Sequence, residues 1–266
     1  GITVPVGAGW ATAAISTKGV MTLTGRLGDG TAFTTTLSPD EANQPNYRLW
    51  VQPYLAARAG SYLAGTFALA THPTLANRRY VDSADMTWMK TGLPADVSYR
   101  TTFGPATTVM RLDPWLPPVA AKGAMSAITL ATRLGLTTHF SVQHSATGSA
   151  ANANLPTSAG LSTIGKVSVL APVTTPIANS TKWNATFTAT TGAFSGSFEL
   201  ADPGLVRGVV IAGALKRTVP FTGVLRQPAD AADMLIGNGN YVMPALPGAL
   251  SNERLAGEVI FQKPTP

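Results

Sequence analysis

Residues Trp10–Leu27 read WATAAISTKGVMTLTGRL, and residues Trp183–Leu200 read WNATFTATTGAFSGSFEL. Each passage runs from a tryptophan through a Thr-rich segment to a turn glycine, Gly19 or Gly192, and then into a second extended segment. The two align without a gap at a spacing of 173 residues, with Trp10/Trp183, Thr17/Thr190, Gly19/Gly192 and Leu27/Leu200 coinciding. In the second segment of the first passage, Met21, Leu23, Gly25 and Leu27 alternate with Thr22, Thr24 and Arg26. In the other, Phe194, Gly196, Phe198 and Leu200 alternate with Ser195, Ser197 and Glu199. A period of two sends successive side chains to opposite faces, so each segment reads as a strand with one apolar and one polar face. A glycine between two such strands is hairpin chemistry.

The same pattern extends outward from these passages. Leu63, Gly65, Phe67 and Leu69 match Leu255, Gly257, Val259 and Phe261 in spacing, and the tripeptide Leu-Ala-Gly opens both runs. Gly28-Asp29-Gly30 links the strand ending at Leu27 to Thr31–Leu37, and a turn around Lys216-Arg217 is expected between Val209–Leu215 and Val219–Arg226. The order of elements predicts two pseudo-repeat halves, about 8–72 and 180–264, joined by an irregular middle segment, 73–179. In that segment strands are expected at Asp85–Lys90, Ala124–Thr132 and Thr137–Val142, with Pro94, Pro105, Pro114, Pro117 and Pro118 breaking the rest. The Ala/Ser/Asn-rich stretch Ser145–Gly160 reads as an exposed loop. The expectation is a single all-β domain over 1–266, an antiparallel β-barrel or sandwich with internal pseudo-duplication. A closed or nearly closed arrangement is favoured because many two-faced strands would otherwise leave pairing-competent edges.

Composition agrees with strands and tight turns. Only 12% of residues are charged, 20 are proline and 26 are glycine. A chain of 266 residues buries roughly three quarters of its unfolded surface, so it needs neither disulfide nor metal to hold a core. Cysteine is absent, which excludes disulfides, thiolate metal sites and a Cys nucleophile. The net charge of +6 is scattered along the chain, with short pairs only at Arg78-Arg79 and Lys216-Arg217. Nucleic-acid surfaces need clustered charge, so no nucleic-acid partner is expected. No apolar run is long enough for a transmembrane helix.

Chemistry-bearing motifs are sparse. The histidines are His72, His139 and His144; the last two are spaced i, i+5, which on a strand points them to opposite faces, so no shared metal site is expected. Most of the acids sit in turn contexts, such as Gly-Asp-Gly at Asp29 and Leu-Asp-Pro at Asp113, where an Asp side chain bonds its own backbone. No nucleophile elbow and no phosphate loop occurs. The expectation is a chain with no catalytic residue, metal or cofactor. Trp88, Tyr99 and Trp115, in the Pro-broken middle segment, are the candidate ligand-binding side chains, because aromatic faces suit sugar rings or partner proteins. Trp10, Trp50 and Trp183 are expected to cover the core or its ends.

The runs STKGVMTLTGRLGDGTAFTTTLS, YRLWVQPY, SYLAGTFAL, MTWMK, TGAFSGSFELA, RTVPFTGVLRQ and NGNYVMP, in this order, resemble a β-rich module. That module recurs near the C-termini of large exported or surface proteins of the Planctomycetes and Verrucomicrobia group. The sequence departs from that pattern over Asp202–Val210 and in LRQPADAADML. The resemblance carries no catalytic residues. It implies export to the extracellular space or cell surface, partners that are subunits or flanking domains of the same assembly, and a non-enzymatic structural or interaction role, adhesive or scaffold-forming. A carbohydrate- or small-ligand-binding β-barrel, with a glycan as partner, is the alternative.

Overall fold

The computed structural model describes residues 5, 7–41, 44–54, 59–96, 99–117, 139–146, 157–164, 167–172, 184–188, 190–206, 209–227, 233, 235–242, 254 and 256–262. Among them no helix occurs, and every strand pairing is antiparallel. The opening passage is the hairpin β1 (Trp10–Ile15) and β2 (Met21–Arg26), with Trp10 opposite Arg26 and Ile15 opposite Met21. Gly19 closes it at φ 79°, a left-handed conformation that costs a side-chain-bearing residue about 1–2 kcal/mol. Along β2 the alternation is realised: Met21 and Leu23 are buried while Thr24 and Arg26 face solvent. Gly25 lies in phase with the buried residues because β1 crosses tightly over it; a Cβ there would meet the Trp10 carbonyl oxygen. The Gly-Asp-Gly turn then leads into β3 (Ala32–Leu37), which completes a three-stranded sheet in the order β1-β2-β3.

A second sheet contains β4 (Pro39–Glu41), β5 (Gln44–Val51), β6 (Tyr62–Ala68), β7 (Ala70–Thr71), β8 (Arg79–Lys90) and β9 (Phe103–Leu112). Its order is β4-β5-β6-β8-β7, with β9 also on β8. The described start of the middle segment is therefore more regular than its prolines suggest, since the strand expected at Asp85–Lys90 begins at Arg79 and pairs with ten-residue β9. The two sheets share one core, in which Met21, Leu23, Leu49, Met86, Trp88 and Phe103 are buried together with Ala256 from the end of the chain.

The remaining strands are β10 (His139–Ala146), β11 (Thr157–Ile164), β12 (Val167–Pro172), β13 (Asn184–Phe187), β14 (Ala193–Val206), β15 (Val209–Leu225), β16 (Leu235–Val242) and β17 (Ala256–Gln262). Each pairs with the next, and β17 pairs back onto β10. Their described interior is aromatic: Phe194 packs on Phe261 at 4.6 Å and Phe198 on Tyr241 at 5.2 Å between ring centroids, both edge to face. The second quoted passage supplies the hairpin β13–β14, with Gly192 at φ 72° and Phe187 opposite Phe194. Its turn is one residue longer than the first, closing at Thr188/Ala193 where the other closes at Ser16/Val20.

Three expectations need correction or bounding. No turn forms at Lys216-Arg217; β15 runs unbroken from Val209 to Leu225, because Arg217 and Lys216 pair with Leu200 and Ala201 of the long neighbouring strand β14. The stretch Ser145–Gly160 is not all loop, since its ends belong to β10 and β11. The strand expected at Ala124–Thr132 lies outside the described residues, as does Trp183.

Side chains stitch the N-terminal sheets to the last strands. The Trp10 indole donates to Thr222 Oγ1 at 3.2 Å, the Asn240 side-chain amide donates to the Leu27 carbonyl, and the Ala256 backbone N–H donates to the Tyr99 hydroxyl at 3.0 Å.

Candidate functional site

The aromatic residues singled out by sequence fall into different environments. Trp88 and Tyr99 are buried, 6% and 3% exposed, with Phe103 edge-on to both at 4.8 and 6.2 Å. Trp88 points inward because it shares a strand face with Met86. Tyr99 is held at φ 51°, a strained conformation for a bulky residue that persists only where the surroundings over-determine it. Trp115 is half-buried and lies over the β13–β14 turn, where a Cβ on Gly192 would come within 2.8 Å of its indole. The structure brings Trp88 and Tyr99 together, through Phe103, and sets Trp115 apart from them.

What Trp88 and Tyr99 enclose is ionic. Lys90 continues the Met86–Trp88 face at the end of β8, so its side chain enters the core and is only 5% exposed. Its Nζ lies 3.4 Å from Asp29 Oδ2 and 3.9 Å from Asp96 Oδ2, and those carboxyl groups are 1% and 3% exposed. The same nitrogen is 5.4 Å from the Tyr54 ring centroid and 5.9 Å from that of Tyr99, within cation–π range of both. Two acids and one ammonium thus share a pocket walled by Tyr54, Trp88 and Tyr99.

Each carboxyl is fixed by neighbours. Asp29 sits in the Gly-Asp-Gly turn, where the Thr31 backbone N–H donates to Oδ1 at 2.9 Å, the turn role that sequence suggests. Its Oδ2 accepts from the Tyr54 hydroxyl at 2.9 Å, and that hydroxyl in turn accepts from the Trp88 indole at 3.0 Å. Burial first, and the adjacent Asp29 charge second, push the Tyr54 phenol well above its ordinary range, so it remains a donor. Asp96 Oδ2 accepts from the Leu93 backbone N–H at 3.1 Å, and the Arg100 guanidinium donates to the Asp96 carbonyl at 2.8 Å.

A second arrangement escaped sequence reasoning. Trp50, expected to cover the core or its ends, is 57% exposed on the outer face of β5 and stacks on Tyr62 of β6, with ring centroids 4.9 Å apart and planes inclined by 14°. Strand phase carried the signal: Tyr47, Leu49 and Val51 alternate with Arg48 and Trp50, so an inward Leu49 obliges Trp50 to face out.

His72 is buried beside Tyr80, and its Nδ1 accepts from the backbone N–H groups of Thr74 and Leu75, which places the ring proton on Nε2. The side chains of His139 and His144 lie outside the described residues. Asp113 accepts from Arg226 Nε at 2.6 Å, and Asp233 pairs with the same guanidinium at 3.3 Å. Among the described residues no three His or acidic side chains converge as metal ligands, and no helix is long and apolar enough to cross a membrane. No protein-family model matches this sequence, and neither a curated protein nor a solved structure is significantly similar to it.

Proposed function

We propose that this chain is a non-catalytic structural or interaction module of an exported or cell-surface assembly, whose partners are other subunits or flanking domains. The observation that carries this reading is the exposed Trp50–Tyr62 stack on the outer face of β5 and β6. A large aromatic held in place by a neighbouring ring loses little side-chain entropy on binding, and Trp and Tyr dominate interface hot spots. The acids Asp29 and Asp96, by contrast, are buried against Lys90. The reading takes the returning order of β10–β17 as a barrel, which removes two free edges, and takes the hairpins at Gly19 and Gly192 as descendants of one duplicated unit.

The test is light scattering behind size-exclusion chromatography across a hundredfold concentration range, on the wild type and Trp50→Ala. Self-association or partner capture that Trp50→Ala abolishes is the expected result. A monomer at every concentration, with no partner among its flanking domains, sinks the proposal. A carbohydrate-binding role is the second reading, favoured by the same flat stack, since sugar rings dock on paired aromatic faces. Glycan-array binding lost in Trp50→Ala and Tyr62→Ala would select it.

A further inference from the structure

The buried pocket around Lys90 has every part of a site for forming an amide between two side chains. The nucleophilic nitrogen lies 3.4 Å from one oxygen of the Asp29 carboxyl, and the carbon it would attack is one bond further on. Both oxygens of that carboxyl already accept hydrogen bonds, Oδ1 from the Thr31 N–H and Oδ2 from the Tyr54 hydroxyl, each at 2.9 Å. A second carboxyl, Asp96, lies 3.9 Å from the same nitrogen and is held by the Leu93 N–H. The neighbouring Trp88, Tyr99 and Phe103 are themselves buried. We propose that Lys90 and Asp29 condense spontaneously in the folded protein to an intramolecular isopeptide bond, with Asp96 as the proton carrier.

The step balances without any outside reagent. One proton passes from the Lys90 ammonium to Asp29 Oδ2, leaving a neutral amine facing a neutral acid. The amine lone pair attacks Cγ, the N–C bond forms, and negative charge collects on Oδ1, where the Thr31 N–H already points. Asp96 takes a second proton from the attacking nitrogen and delivers it to Oδ2, which departs as water when the C–O bond breaks. Asp96 ends as it began, a carboxylate. Two effects favour the condensation: nitrogen and carboxyl are held together, 3.4 Å from Nζ to Oδ2, and the reaction replaces a buried ion pair, costly to desolvate, with one neutral amide, while the Asp96 carboxylate keeps the Leu93 N–H. The reading is independent of the one proposed for Trp50.

Mass spectrometry of the intact, purified chain under denaturing conditions tests it. The expected mass is lighter than the sequence by one water. Trypsin should then fail to cut after Lys90 and should yield a branched peptide joining residues 27–48 to residues 80–100. Two results overturn the proposal. The first is the full sequence mass. The second is a water loss with normal cleavage after Lys90, which places the loss in a cyclic imide at the Asp29-Gly30 bond. Lys90→Arg should restore the full mass. Asp96→Asn, with a wild-type circular dichroism spectrum, should leave the chain unlinked; an Asp96→Asn protein linked to the wild-type extent refutes the role given to Asp96.

Discussion

Lys90→Met keeps the length and apolar stem of the side chain while deleting the ammonium that lies beside Asp29 and Asp96. Both carboxyl groups stay where the fold put them, 1% and 3% exposed, now without the ammonium 3.4 and 3.9 Å away. Removing one partner from a buried ion pair costs about 3–5 kcal/mol, because the abandoned charge keeps its desolvation cost and loses its compensation. For a chain of this size each kcal/mol lowers the midpoint by roughly 2 °C, so Lys90→Met should melt at least about 6 °C below the wild type. Thermal and urea unfolding followed by tryptophan fluorescence measure this directly, since Trp88 reports from the same pocket. Adding Asp29→Asn to Lys90→Met removes one of the stranded charges and should return part of the loss. A single variant within about 1 kcal/mol of the wild type would refute the reasoning, because it would mean that the acids are hydrated or neutral regardless of Lys90.

Three further outcomes follow from the packing and the charges. Phe103→Ala, which removes a fully buried ring touching Trp88 and Tyr99, should cost about 3–5 kcal/mol in urea denaturation. Gly25→Ala should destabilise by more than Gly19→Ala, although both add one methyl: at Gly25 the methyl drives into the backbone of β1, whereas at Gly19 the nearest atom is 3.6 Å away and only the φ of 79° is strained, a cost of about 1–2 kcal/mol. Glu258, half-buried on β17, is held above the ordinary carboxylate range by desolvation; as its folded-state value exceeds the unfolded one, stability falls as pH rises through the window that opens near 4.5. Glu258→Gln should flatten that part of the pH–stability curve and be relatively more stable above it.

Much of the fold was legible because period-two alternation is a local property. Met21–Leu23 and Phe194–Phe198 declared their inward faces, and Gly19 and Gly192 declared turns that both take up positive φ. Lys216-Arg217 misled because a basic pair looks like a turn, yet a strand tolerates charge wherever its face meets solvent, and Lys216 is exposed. The aromatic residues misled for a different reason. Prolines around Trp88 suggested escape from the core, but those prolines lie beyond the strand, and within it Trp88 keeps step with buried Met86. Lys90 keeps the same step and was the clue to the pocket. What no reading of one strand could supply was the partner, because Asp29, Tyr54 and Asp96 reach Lys90 only through the turn after β2, the segment after β5 and the loop between β8 and β9.

Where the pocket sits decides what it can contribute. Asp29 follows β2, Lys90 ends β8, Tyr99 reaches the Ala256 N–H of β17, and Asn240 of β16 reaches the Leu27 carbonyl beside the Asp29 turn. Both N-terminal sheets and strands β16 and β17 therefore meet at these few side chains. A buried ion pair there would add little net stability over apolar residues of the same shape; its contribution would be to admit one alignment of the three bodies. An amide between Lys90 and Asp29 is different, since closing the loop between those residues restricts the unfolded chain by roughly 4 kcal/mol in the chain-entropy treatment of cross-links. The triple variant Asp29→Asn, Lys90→Met, Asp96→Asn separates the two. Free of stranded charge, it should approach wild-type stability if the pair is only ionic, and should remain short by about that loop-closure amount if the wild type carries the bond.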